Sequence, residues 1–216
     1  MRAALLDGAR AIGVPLDDAQ ADRLLAYLAL IAKWNRVYNL TAIRDEREML
    51  TQHLLDSLAV VPALRRESGG QPIELLDVGS GAGLPGVVIA AVCPEVSVTC
   101  VDAVAKKVSF IQQAGAELGL GNLAGVHARV ETMQDRRWRV ITSRAFSSLV
   151  QFTDLTRTLL APDGVWMALK GKVPENEMRD LPASVAVFHV EHVTVPGLDA
   201  QRCIVDAAHR RLIWPA

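Results

Sequence analysis

An α/β fold is predicted for this chain of 216 residues: a Rossmann-like sheet of seven strands behind an N-terminal helical extension. Three observations predict it. After residue 71, short apolar runs alternate with helical segments, the pattern of parallel strands joined by crossover helices. The first of those runs, Ile73 to Val78, breaks into Gly79, Gly81, Gly83 and Gly86 before an apolar helix resumes. The segment before residue 70 carries helical periodicity and no strand pattern.

The helical segment is read from its caps. Arg2 to Ile12 forms a short helix closed by Gly13. Asp17 with Gln20 is a capping box, and Leu24, Leu28 and Ile31 recur at helical spacing to about Asn35. Asp45 with Glu48 is a second box, opening a helix whose stripe is Leu50, Leu54, Leu58 and Val61 and which Pro62 ends. Such stripes face a core, so residues 1–70 are expected to pack on the main domain as a lid and substrate region. Ser68-Gly69-Gly70-Gln71-Pro72 reads as the linker, leaving residues 71–216 as the ligand-binding domain. Strands are predicted at Ile73–Val78, Val96–Val101, Leu123–His127, Val140–Ser143, Val165–Leu169, Val185–Val193 and Cys203–Asp206, the last pair as a hairpin. Helices are predicted at Pro85–Val92, Ala105–Leu118, Ser148–Leu160 and Glu175–Arg179, with Pro85 in the first turn.

Composition narrows the class without naming a function. Half the residues are apolar, 22% are charged and the net charge is −1, as in ordinary globular proteins. No apolar run is long enough to span a membrane, and Met1 to Gly13 lacks the apolar core of a signal peptide. Cys93, Cys100 and Cys203 are odd in number and lack metal-ligand spacing, so no metal and a reducing cytoplasm are expected. With so little net charge, RNA binding would require positive charge gathered on one face.

The glycine loop admits two readings. Gly81-x-Gly83-x-x-Gly86, with Asp102 at the end of the next strand, fits a dinucleotide fingerprint and hence an NAD-dependent oxidoreductase. Taken from Asp77, the same letters are Asp-x-Gly-x-Gly-x-Gly, the pattern of class I S-adenosyl-L-methionine-dependent methyltransferases. Asp77 discriminates, because a carboxylate repels a pyrophosphate and favours a sulfonium and an ammonium. Seven strands also suit the methyltransferase sheet better than a six-strand dinucleotide domain.

Ligands of open α/β sheets bind at the carboxyl ends of the strands. Asp102 stands where a carboxylate accepts from both ribose hydroxyls, and Val130-Glu131 at the usual level of the adenine. The fourth strand ends Ser143-Arg144-Ala145-Phe146, lacking both the Asn/Asp-Pro-Pro-aromatic motif of amino-methylating enzymes and a cysteine nucleophile. An aromatic-nitrogen acceptor such as guanine N7 needs neither, because it has an in-plane lone pair and no proton to lose; positioning carries the acceleration. Arg144 is suited to a carboxylate, a phosphate or a guanine edge. Phe146 either stacks on the base or packs in the core. Lys170-Gly171-Lys172 and Arg202 lie on the same rim, and Arg129, Arg136, Arg137 and Arg139 add charge that would form an RNA footprint if gathered there. Lys106 and Lys107 are helix surface. Trp34 to Thr41 interleaves aromatics with Asn35 and Asn39, suiting either base stacking or a core with a capped turn. His53, Asp56 and Ser57 share one helix face and read as hydrogen-bonded rather than as a hydrolase triad.

Asn39-Leu40-Thr41, His53 with Asp56-Ser57, the glycine loop, Asp102 with Lys106-Lys107, Arg129-Val130-Glu131, Ser143 to Phe146 and Leu169-Lys170-Gly171 occur in one order. In this the chain resembles the bacterial glucose-inhibited division protein B family, methyltransferase G, over about residues 30 to 206. The resemblance implies guanine-N7 methylation in the 530 loop of 16S ribosomal RNA, with the small ribosomal subunit as partner and no membrane; a monomer is expected. It implies cofactor contacts at Gly79, Leu84, Val130, Glu131 and Arg144, to which the loop reading adds Asp77, Gly81, Gly83 and Asp102. Arg144 and Lys170 are the catalytic candidates; Asn39, Phe146, Lys170, Lys172 and Arg202 are the RNA candidates. Leu84, where the family often has Phe, and Ala103, where Ser is common, depart mildly. A non-catalytic S-adenosyl-L-methionine-binding ribosome-assembly factor remains the main alternative.

Overall fold

Apolar, β-branched segments build the sheet, and their order in space decides where a ligand sits. The computed structural model describes residues 1–134 and 136–210, so the last six residues of the predicted second domain lie outside it. The strands are β1 (Ile73–Val78), β2 (Val96–Asp102), β3 (Leu123–His127), β4 (Trp138–Arg144), β5 (Leu160–Lys170), β6 (Val185–His192) and β7 (Cys203–His209). They form one sheet in the order β3-β2-β1-β4-β5-β7-β6. The first five are parallel; β7 runs antiparallel between β5 and β6, so the predicted final hairpin is present. The chain reverses its winding between β1 and β4, and the carboxyl ends at that switch point open the crevice.

Helices cover both faces. Those of the N-terminal segment are α1 (Arg2–Ala11), α2 (Asp18–Tyr38), α3 (Glu46–Met49), a π-helical turn (Leu50–Leu55), α4 (Asp56–Leu58) and α5 (Val61–Ser68). Then follow α6 (Gly86–Val92), α7 (Ala105–Glu117), α8 (Leu149–Thr156) and α9 (Glu175–Arg179). Both predicted capping residues act: Asp17 and Gln20 close a reciprocal box, and Asp45 accepts from the Arg47 and Glu48 amides.

The N-terminal helices share one apolar core with α6, α7 and a sheet face, running from Leu5 and Leu24 through Leu54 and Val88 to Phe110. Polar contacts join the same parts. Gln20 Nε2 and Arg23 Nη1 donate to the Val92 and Ala91 carbonyls at the end of α6 (3.2 and 3.3 Å), and the buried Tyr27 hydroxyl donates to the Ala82 carbonyl. A helix C-terminus leaves such carbonyls free and favours a cation beside them. The segment expected as a lid is thus a built-in layer of the fold.

Several boundaries differ from expectation, three of them at prolines or at a helix end. Pro62 opens α5 instead of ending the preceding helix, because a first-turn position needs no amide hydrogen. Pro85 is the N-cap residue of α6 rather than part of it. The helix predicted to reach Leu160 stops at Thr156, and Leu160 begins β5; a buried apolar run fits either element.

Candidate active site

Two adjoining cavities line the carboxyl ends of the parallel strands. The larger, about 530 Å³, lies between the glycine loop, the ends of β4 and β5, and the N-terminal segment; Thr41, His53, Asp56, Gly81, Arg144, Lys170 and Arg202 are among its walls. The smaller, about 290 Å³, is walled by Asp102, Val130, Glu131 and Phe146. Gly79 borders both.

The loop explains this division. Gly79 has φ +67°, a left-handed conformation that glycine adopts without steric cost. The Phe146 ring lies directly over it, and a Cβ at position 79 would sit 2.8 Å from Phe146 Cδ2. Phe146 also meets Phe152 edge to face at 6.2 Å. Its ring therefore borders the smaller cavity and does not line the larger one.

Asp77 corrects the sequence reading. Side chains alternate along a strand, and Asp77 shares with Leu75 the face covered by α6. It is fully buried beneath the loop, where its Oδ2 accepts from the Gly86 amide at 2.9 Å. Burial pushes its pKa up to about 6, against the hydrogen bond from the Gly86 amide that favours the ionised form. The carboxylate ties β1 to the start of α6 and does not face the ligand cavity. A Cβ at Gly86 would lie 2.9 Å from the same oxygen, which explains that glycine. Gly83 likewise turns inward, toward Val87, Ile111 and Tyr27, and lines neither cavity. Leu84 and Gly81 do line the larger one.

Asp102 lies at the end of β2, with one oxygen accepting from the Gly81 amide and the other from the Val104 amide, both at 2.9 Å. It thereby fixes the glycine loop against the next strand, with Lys107 Nζ 3.7 Å away. Each oxygen retains acceptor capacity for a hydroxyl at the cavity wall.

The cationic side is held by ion pairs. Arg144 Nη1 donates to Asp56 Oδ2 (3.1 Å) and to the Gln52 carbonyl (2.7 Å). Arg202 Nε donates to the other Asp56 oxygen at 2.6 Å. Lys170 Nζ donates to Glu177 (2.9 Å) and to the Ser147 carbonyl (3.0 Å), anchoring the loop that carries Phe146. His53 Nε2 is 3.1 Å from the Thr41 hydroxyl. Burial, with the Arg144 charge adding to it, lowers the His53 pKa to about 4, so the ring is neutral at physiological pH.

Other candidates separate. Asn39 is the exposed left-handed C-cap of α2 and lies off the cavities; the buried amide is Asn35, which binds the Thr41 amide and the Ile43 carbonyl and shapes the wall-forming loop. Trp34 packs on Phe110 and Tyr38 as part of the core edge. Lys172 is exposed and lines a neighbouring hollow with Glu175 and Asn176. Arg136 and Arg139 stand at the start of β4, the opposite end from the site, paired with Glu74 and Glu67. Arg129 pairs loosely with Glu131 at 3.7 Å. Of these arginines, Arg129 borders the smaller cavity, whereas Arg136 and Arg139 stand away from the site. Sequence reasoning passed over Thr41, Gln52 and Asp56 as wall residues. Their signal was the polar set His53, Asp56, Ser57 on one face, re-aimed by the π-helical turn, a feature frequent at functional sites.

Comparison with known proteins decides the family. The sequence profile of "rRNA small subunit methyltransferase G" matches residues 20–205. The chain belongs to the rRNA small subunit methyltransferase G family. A member from Methylibium petroleiphilum is 61% identical over 201 residues, covering 93% of this chain and 91% of that protein. One from Leptothrix cholodnii is 58% identical over 213 residues, covering 99% and 94%. Both are named ribosomal RNA small subunit methyltransferase G. Among solved structures, a Burkholderia thailandensis 1,6-didemethyltoxoflavin-N1-methyltransferase aligns with a TM-score of 0.56 at 16% identity, covering 90% of this chain and 92% of that one. TrmN from Thermus thermophilus aligns at 0.58 and 18%, covering 74% and 53%. These last two show the shared methyltransferase fold of the family.

Proposed function

We propose that this protein transfers the sulfonium methyl of S-adenosyl-L-methionine to N7 of a guanine in the 530 loop of 16S ribosomal RNA, on the small subunit. Family membership over residues 20–205 supports the RNA and the cofactor. The observation that carries the N7 chemistry is a cavity with cations on its wall and, among the described residues, no available base. Asp56 is taken up by two arginines, Asp77 is buried under the loop, and Asp102 holds two amides. His53, with a pKa of about 4 and a bond to Thr41, is too weak a base for neutral pH. An acceptor that must lose a proton is poorly served here, whereas guanine N7 brings its own lone pair.

The residues fit the cofactor: Gly79 borders both cavities and Gly81 the larger one, and Asp102 and Glu131 offer acceptors at the second. When bound, S-adenosyl-L-methionine supplies an electrophilic methyl group on a cationic sulfur. Gly79, Gly81 and Leu84 line the methionine end, Arg144 takes its carboxylate, and Asp102 accepts from the ribose hydroxyls. Val130 and Glu131 flank the adenine. Thr41 and the Leu40–Ile43 loop then wall the acceptor side, where Lys170 and Arg202 face RNA phosphate and hold the base in line.

Incubation with methyl-labelled cofactor and small subunits lacking the modification tests the proposal. Label in 16S RNA is the expected result. Cofactor binding without transfer to any RNA substrate would instead favour the assembly-factor reading.

A further inference from the structure

One carboxylate in the site belongs to no ligand-binding role and is more buried than any cation around it. Asp56, only 5% exposed, starts α4 directly after the π-helical turn and comes from the N-terminal segment. Its two oxygens are shared between two guanidiniums from separate parts of the sheet: Arg144 at the end of β4 (3.1 Å) and Arg202 just before β7 (2.6 Å). The Gln52 carbonyl, one turn earlier on the same helix, accepts from the same Arg144 nitrogen. Arginine has five N–H donors in a rigid fork. With Nη1 directed to Asp56 and Gln52, the rest of the Arg144 fork is left for the cavity it lines.

We infer that Asp56 is a positioning residue that aims Arg144 at the cofactor carboxylate while holding Arg202 beside it. The physical reason is charge. Two guanidiniums on one cavity wall repel each other, and Asp56 is the carboxylate lying between them. The three groups together keep one net positive charge, enough to receive an anion without collapsing onto it. Removing the carboxylate charge leaves like charges facing each other in a half-buried place, so Arg144 turns away. The N-terminal helices thereby contribute to the methyl-transfer site through Arg144. This rests on the reading that Arg144 holds the cofactor.

The test is a double-mutant cycle on cofactor affinity, read by calorimetry with S-adenosyl-L-homocysteine, so that RNA plays no part. Arg144→Ala is expected to weaken binding at least tenfold. Asp56→Asn, close to isosteric, is expected to weaken it about tenfold in the parent and less than twofold in the Arg144→Ala background, because residues acting as a unit are not additive. Thermal midpoints recorded without ligand confirm that the variants fold; if Asp56→Asn does not, Asp56→Glu, whose extra methylene displaces Arg144, is put through the same cycle. Parent-like affinity in the Asp56 variant overturns the inference. So does an equal loss in both backgrounds, which would mean that Asp56 acts independently of Arg144. Normal affinity in Arg144→Ala alone would instead overturn the placement of Arg144 at the cofactor.

Discussion

The Phe146 ring covers Gly79 so closely that an added methyl group there would lie 2.8 Å from Phe146 Cδ2. This contact joins the glycine loop to the loop after β4 and sets the boundary between the two cavities. Gly79 is also left-handed, φ +67°, a conformation costing a non-glycine residue about 1–2 kcal/mol. Gly79→Ala is therefore expected to reduce cofactor affinity at least tenfold while lowering unfolding stability by only about 1–2 kcal/mol. Calorimetry and urea unfolding measure the two effects separately; unchanged affinity would show that Phe146 yields freely.

Asp77 works from beneath the loop. Asparagine retains an acceptor for the Gly86 amide but carries no charge. Asp77→Asn should thus leave the ratio of affinities for S-adenosyl-L-methionine and its uncharged-sulfur product S-adenosyl-L-homocysteine unchanged. If the carboxylate paired with the sulfonium directly, that ratio would fall. Asp77→Ala strands a buried amide and should cost about 1–3 kcal/mol in unfolding experiments.

Lys170 lines the larger cavity and is bonded to Ser147 and Glu177. Lys170→Ala is expected to slow RNA methylation at least tenfold with cofactor affinity within twofold of the parent. Equal losses in both would place Lys170 at the cofactor instead.

Asp206 reports on the fold's pH dependence. It lies on β7, buried away from the site, with Oδ1 unpartnered among the described residues. Burial first, then Glu191 and Glu67, raise its pKa from 3.8 to about 6, while His189 and Arg66 oppose. The folded protein therefore binds more protons here than the unfolded chain between pH 3.8 and 6, and this group's contribution to stability falls as pH rises through that window. Asp206→Asn removes the penalty. Relative to the parent, its unfolding free energy should improve by about 2 kcal/mol between pH 4 and pH 7. His53 works in the opposite direction: its pKa of about 4 lies below the ordinary value of 6.5, so its contribution is lost as pH falls from 6.5 toward 4. A pH-independent difference between Asp206→Asn and the parent would refute the assignment.

Much of this was legible in the chain. Short apolar runs alternating with helical patterning, two capping boxes and the glycine loop located the strands and most helices, because those signals are local. The ends of β1, β2 and β4 followed from the rule that open sheets bind ligands at carboxyl ends. What stayed hidden depends on direction. The letter Asp77 marks the loop correctly, but only strand alternation in the folded sheet shows its carboxylate turned toward α6. Asn39 and Asn35 look alike in sequence, yet only Asn35 is buried against the wall-forming loop. Asp56 and Arg202 are 146 residues apart, and no local pattern announces that they meet.

Small subunits lacking the modification, incubated with the protein and S-adenosyl-L-methionine, can be mapped by borohydride reduction and aniline scission, which cleave RNA at N7-methylguanosine. One new cleavage is expected, within the 530 loop of 16S RNA, absent without cofactor and strongly reduced by Arg144→Ala. Methylation of 16S RNA without scission at that loop, or scission at other guanines, would contradict it.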